Sequence, residues 1–443
     1  MNRILASACL LTFASFAAAA QTAAPQSLTG TWDVKADYYS STLNLGLTLE
    51  QSGNKLTGRF TGDKLEGTIE GAAVHFISKD EHGTTDEVKA TFKGGVLAGT
   101  VDEIDVNDPK HPTHFSFTAT LATPLRHGVP QRHDFTPTVF YRQFSPFYKP
   151  VLHVAPGDTI HTTTVDAGGT DENGVRRVLG GNPETGPFFI DGAEPGDTLV
   201  VHIKRLKLNR DWAISDDGIV NRAVNGSLGV KIKDNNKDVR WHLDLANGTA
   251  SPEKPGDHMK NFSIPVRPML GCIATAVRPT QAPPGSGDSG DNGGNMDFNE
   301  ITEGSTVYLP VLNPGALLYF GDGHALQGDG ELNGNALETS MDVEVTVDVL
   351  PGKRIGGRRV ETPDAIIAMG LQGSVDDALK EATENMVDWL QKDYKLTASE
   401  VAQFMGVASE IRISEVADRN AGIVIKIAKK HLQSLAQPPP PAK

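Results

Sequence analysis

"STLNLGLTLEQSGNKLTGRF", residues 41–60, decides the fold of the first part of this chain. Leu43, Leu45, Leu47 and Leu49 recur at every second position, Ser52-Gly53-Asn54 interrupts, and Leu56 and Phe60 resume the same period. Successive side chains of an extended strand point to opposite faces, so the pattern reads as two half-buried antiparallel strands joined by a tight turn. Working outward, "GTWDVKAD", "LEGTIEGAAVHFIS", "EVKATFKGGVLAGTVDEI" and "THFSFTATLAT" repeat the device between residues 28 and 122. Gly- or Asn-rich turns fall about every eight to twelve residues, with no helical period between them. Roughly six to eight such strands predict a small up-and-down barrel or a sandwich.

The stretch 123–150 has five prolines and no clear period, and is expected to be a linker or an extended arm. A larger β-rich unit is expected from residue 151. "VAPGDTIHTTTV" (154–165), "AEPGDTLVVHI" (193–203) and "ITEGSTVYLPV" (301–311) each place a Gly turn before a strand. Helices come late. In 374–394, Val375, Leu379, Ala382, Met386, Trp389 and Leu390 share one face, and Ser374 with Asp377 forms a capping signature. A second helix is expected over 397–411, with Thr397 as cap and Glu400 three residues on. "IRISEVAD" and "GIVIKIA" then read as strands. The expected class is mostly β (α+β): an N-terminal antiparallel barrel, then a sandwich-like β-rich domain with two late helices. The expected boundaries are 1–20 for a signal peptide, 21–123 for the barrel, 124–435 for the larger domain and 436–443 for a Pro-rich tail.

"MNRILASACLLTFASFAAAA" supports the first boundary: Arg3, an apolar run and small residues before Gln21 form a secretory signal. The rival reading is a lipoprotein signal cleaved before Cys9. Cleavage after Ala20 removes Arg3 and takes the formal charge from −14 to −15. It also leaves Cys272 as the only cysteine, so no internal disulfide can form. A periplasmic or secreted protein is expected. No later apolar run is long enough to span a bilayer, so no membrane insertion is expected after cleavage. The acidic balance argues against nucleic acid as a partner.

Chemistry concentrates in two polar segments, "SGDSGDNGGNMD" (286–297) and "GDGHALQGDGELNGNALE" (321–338). They frame "STVYLPVLNPGALLYFG", which reads as one apolar strand anchoring both. The first segment fails the calcium-loop pattern: with Asp288 at position one, Gly290 and Asn299 occupy ligand positions. No H-E-x-x-H or G-x-S-x-G motif occurs. Cys272 in "MLGCIATAV" reads as a buried thiol before it reads as a nucleophile. What remains is Asp297, Asp322, His324, Asp329 and Glu331, with Asn295 and Gln327 nearby. An imidazole with several carboxylates can bind a metal through mixed N and O donors. Solvated hairpin tips are the alternative reading.

"GGNMD" (293–297) and "EGSTVYLPVLNPGALLYFGDGHALQGDGELNGNALE" (303–338) resemble the acetamidase/formamidase family. So do "PVLHVAPGDTI" (150–160), "GNPETGPFFIDGAEPGDTLVVHI" (181–203) and "ASEIRISEVAD" (408–418). The resemblance covers about residues 124–430. It implies hydrolysis of a small linear amide, a β-rich fold with late helices, a homo-oligomer such as a dimer, and a divalent metal, zinc before calcium. His324, Asp322 and Asp297 are then the expected metal ligands, with Asp166 of "TTVDAGG" a further candidate whose alternative reading is a simple turn. Glu331 is the expected proton shuttle, and Asn295 and Gln327 are expected to bind the oxyanion or the substrate amide. A lactam hydrolase and a non-catalytic periplasmic binding protein are the competing functions. The chain departs from the family in its signal peptide, in the extra residues of "PPGSGDSGDNGGNMD" and in the added barrel. The barrel resembles lipocalin-like barrels through "GTW" and its Leu/Gly ribs, and is either a ligand cup or an accessory domain.

Overall fold

The structure is a computed structural model describing residues 27–435 except Ser40, 81–82, 123–128 and 232–236. The expected signal peptide, the Pro-rich tail and the boundary at 123/124 lie outside the described residues. Eight antiparallel strands, from Gly30–Tyr38 to Thr113–Leu121, each pair with the next. The last closes on the first, with Trp32 opposite Leu121, so the alternating segments make a closed up-and-down barrel. Trp32, Phe60, Phe76, Val88, Leu97 and Val101 fill its interior. Eight strands enclose a space just wide enough for side chains, so the interior is a packed core. The buried Trp32 indole donates to the Leu28 carbonyl at 2.9 Å, which satisfies its polar end.

The larger unit is built from a six-stranded and a nine-stranded sheet, with a four-stranded sheet beside them. Apolar residues of the first two merge in one core: Leu270, Ile273 and Phe320 from one sheet, Val201, Val343 and Val345 from the other. The run expected to be one strand is two. Thr306–Pro310 lies in the nine-stranded sheet and Leu318–His324 in the six-stranded one. Between them Gly315, Ala316 and Leu317 all have left-handed φ (72°, 55° and 56°), and the Asn313 amide donates to the Ala276 carbonyl at 2.9 Å. Pro and Gly here outweigh the apolar pattern, because the chain must turn to change sheets. Leu318–His324 is buried throughout, so Asp322 and His324 sit on a core strand and not in a polar loop.

Helix Val375–Tyr394 covers the outer face of the nine-stranded sheet, where Ala378, Ala382 and Met386 meet Ile366, Ala368 and Ile425. The Ser374 hydroxyl accepts from the Asp377 amide at 3.1 Å, as its spacing predicts. Helix Ala398–Ala408 carries the complete Thr397/Glu400 capping box. It stops at 408, short of the expected 411, because Ser409–Glu415 pairs as an edge strand.

Candidate metal centre

In the six-stranded sheet, Leu318–His324 runs antiparallel to Met269–Ala274, with Leu270 opposite Gly323 and Cys272 opposite Gly321. The two-residue period puts Asp322 and His324 on one face, with Gly271 beneath them. Asp297 follows the Gly293–Asn295 strand, and Glu331 and Glu338 come from the segment after His324. His324 Nε2 lies 3.1 Å from Glu338 Oε1, 3.4 Å from Asp322 Oδ2 and 3.8 Å from Asp297 Oδ1. Ligand atoms of Asp297, Asp322 and His324 lie within 4.8 Å of one another, as do those of His324, Glu331 and Glu338. All five residues are buried.

Four atoms in this cluster are buried without a hydrogen bond: Asp297 Oδ1, Asp322 Oδ1, His324 Nε2 and Glu338 Oε2. Such atoms are individually costly and normally rare. Buried ligand groups that converge with hydrogen-bonding capacity unused are what a cation would satisfy, so the residues fit a divalent metal. A Cβ on Gly271 would stand 2.4 Å from both Asp297 Oδ1 and Asp322 Oδ2, so the two carboxylates converge over a position that only glycine leaves open. Asp297, Asp322 and Glu331 also have left-handed φ of 38°, 52° and 47°. Backbone strain of that kind persists where the surroundings over-determine it, and it clusters at functional sites.

The electrostatics agree. Burial, then Glu331 and Asp322, hold the Asp297 carboxyl well above the usual range. Burial does the same to Glu331, and raises Glu338 to about 7. Burial alone would depress His324, but Glu338 and Asp322 outweigh it and raise the imidazole. Four carboxyls around one imidazole cannot all carry charge in a dry site unless protons or a cation join them.

Gln327 and Asn295 lie against this cluster with their amides already committed. The His324 Nδ1–H donates to Gln327 Oε1 at 2.9 Å, and Gln327 Nε2 donates to the Asp297 and Ser414 carbonyls at 2.6 and 3.2 Å. This arrangement turns Nε2 of His324 toward the carboxylates. Asn295 Nδ2 donates to Asp297 Oδ2 and Asp418 Oδ2, each at 2.5 Å. Burial raises Asp418 to about 6.

Of the expected residues, Asp297, Asp322, His324 and Glu331 are brought together. Asp166 is in neither ligand group: its Oδ2 is 2.7 Å from the buried Arg210 guanidinium, and its Oδ1 accepts from the Thr170 amide at 2.8 Å. Asp329 pairs with Arg412 and accepts from Asn299 at 2.8 Å. Glu338, Asp418 and Gly271 were not singled out from the sequence, although Glu338 ends the 321–338 segment and Asp418 ends "ASEIRISEVAD". Cys272 faces away, packed with Phe144, Ala274 and Tyr319, and burial followed by Glu184 raises its thiol well above the usual value.

Residues 286–428 match the family model described as the Acetamidase/Formamidase family. The acetamidase of Mycolicibacterium smegmatis is 26% identical over 222 residues, which is 38% of this chain and 53% of that protein. The formamidase of Methylophilus methylotrophus is 24% identical over 262 residues, 47% of this chain and 64% of that protein. The chain thus spans about half to two thirds of the length of the curated relatives it matches. Among solved structures, a recombinant predicted acetamidase/formamidase from Thermoanaerobacter tengcongensis is similar with a TM-score of 0.58 and 28% identity. That match covers 69% of this chain and 98% of the other. The acetamidase from Bacillus halodurans gives 0.57 and 25%, covering 69% and 100%. Nearly all of each solved chain is matched by about seven tenths of this one, so this chain carries additional material.

Proposed function

We propose that this chain is an exported hydrolase that cleaves the C–N bond of a small amide with the help of a divalent metal. The observation that carries the reading is the buried convergence of ligand atoms of Asp297, Asp322 and His324 within 4.8 Å of one another, with a carboxylate oxygen of each aspartate closing over Gly271. The similarity of residues 286–428 to acetamidases and formamidases supports the choice of amides. Asp297, Asp322 and His324 would hold the metal, with Glu338 beside them. One imidazole among carboxylates suits zinc, whereas calcium takes oxygen donors. When bound, the metal supplies Lewis acidity that activates water and polarises a carbonyl.

The protein's own groups do the rest. Gln327 holds His324 in the tautomer that frees Nε2. Asn295 ties Asp297 to Asp418. Both are therefore assigned positioning roles. Asp166 is assigned to the buried pair with Arg210 and left out of the metal set. Glu331 lines a cavity next to the cluster, and its Oε1 accepts from the Ala336 amide at 2.9 Å, which fixes the carboxyl. Burial holds this carboxyl above its ordinary range, and a fixed carboxyl beside the cluster is the kind of group that exchanges protons in general acid–base catalysis. Water adds through oxygen to the amide carbon and gives up a proton to Glu331. The C–N bond then breaks, and Glu331 returns the proton to nitrogen, releasing a carboxylic acid and ammonia or an amine. The N-terminal charge and apolar pattern support export, and the family resemblance supports a homo-oligomer.

The test is Glu331→Gln on the purified protein. Metal content should stay at the wild-type level while ammonia release from amides falls about 10²–10⁴-fold, the usual size of general acid–base help. Wild-type turnover in this variant would remove Glu331 from the chemistry.

A further inference from the structure

We propose that the amide's acyl part is apolar and much larger than acetyl, held in a cavity that opens beside Glu331. The inference rests on the hydrolase reading above and narrows its substrate. The cavity has a volume of about 330 Å³. Its walls are Ile219, Trp241, Phe262, Ile264, Leu326 and Leu332, drawn from the four-stranded sheet and the segments beside it. Gln327 and Glu331 also line it, and both are buried, whereas Ile219, Phe262 and Leu332 are 41%, 41% and 51% exposed. Those three apolar residues therefore form the mouth, and the buried wall includes Glu331, which shares a ligand cluster with His324 and Glu338. Trp241 and Phe262 meet edge to face at 6.2 Å, which gives the wall a defined aromatic shape.

Size decides between occupants. Acetamide has four heavy atoms and fills on the order of 100 Å³ at about 30 Å³ per water-sized group. It would leave most of this cavity empty or wet against apolar walls. A chain of about six carbons or a phenyl ring would cover those walls and take its own apolar surface out of water.

The experiment measures kcat/KM for ammonia release by the full-length protein with formamide, acetamide, butyramide, hexanamide and phenylacetamide. The expected result is a rise of at least tenfold from acetamide to hexanamide or phenylacetamide. The ratio of kcat/KM for phenylacetamide to that for formamide should fall at least tenfold in Trp241→Ala and in Leu326→Ala. Fastest turnover of formamide or acetamide would overturn this inference and leave the hydrolase reading standing. If no amide is hydrolysed, the hydrolase reading fails, and calorimetry judges the cavity separately: hexanamide binding at least tenfold tighter than acetamide supports it, and equal or absent binding overturns it. A dimer that dissociates in Leu332→Asp, together with no acyl preference, would make this face a subunit contact and overturn the proposal.

Discussion

Replacing Gly271 with alanine adds one methyl group directly beneath the cluster. The new Cβ would lie 2.4 Å from Asp297 Oδ1 and from Asp322 Oδ2, and 3.2 Å from the Asp322 carboxyl carbon. An ordinary contact is roughly 3.4 Å or more, so each oxygen must retreat by about 1 Å. Gly271 itself does not have left-handed φ, so the backbone accepts alanine and the penalty falls on the two carboxylates. Overpacking of this kind costs about 1–3 kcal/mol of stability, which a chain with its extensive core should survive folded. Ligand distances in a metal site are held to about 0.2 Å, so the same displacement should lower metal affinity by a factor of at least 10–100, the range seen when supporting groups are lost. Turnover should fall with metal occupancy. The assay is elemental analysis and ammonia release on Gly271→Ala, with thermal unfolding as the control for folding. A folded variant with full metal content and wild-type turnover would refute the idea that Asp297 and Asp322 converge on a cation.

Two further outcomes concern groups outside the cluster. Asp166→Ala should lower stability by about 3–5 kcal/mol, because it strands the buried Arg210 charge, while metal content stays at wild type; calorimetric unfolding with elemental analysis separates the two. Glu194 is raised to about 8 by burial, then by Asp33 and Asp197. The unfolded chain releases this proton near the ordinary value of 4.5 and the folded chain near 8, so this group's contribution to stability falls as pH rises between those values. Glu194→Gln should flatten that part of the profile, raising Tm at pH 9 relative to wild type more than at pH 5.

Much of this fold was legible because it is written locally. The barrel followed from two-residue alternation and turn residues between 28 and 122, and the helix starts from Ser374 and Thr397 three residues ahead of their partners. Where local signals competed, the reading slipped. Residues 305–321 looked like one strand because apolar residues dominate, yet Asn313-Pro314-Gly315 breaks the run and sends its halves into different sheets. The candidate site was legible where its residues share a segment: Asp322, His324 and Glu331 lie within ten positions. It was not legible where contacts are long-range. Asp166 meets Arg210 across 44 positions, and Asn295 meets Asp418 across 123, with no periodicity to announce either. Asn295 and Gln327 were identified as amides near the site, but only their bonds show that those amides are already engaged. Gly271 gave no sign at all, because its importance depends on two carboxylates folding over it.

The most direct test is elemental analysis of the purified protein coupled to amide hydrolysis before chelation, after chelation and after metal is restored. One divalent metal per chain, with activity lost on its removal and recovered on its return, is expected. Undiminished ammonia release from protein shown to be metal-free would contradict the assignment of His324, Asp322 and Asp297 as the ligands of a catalytic metal.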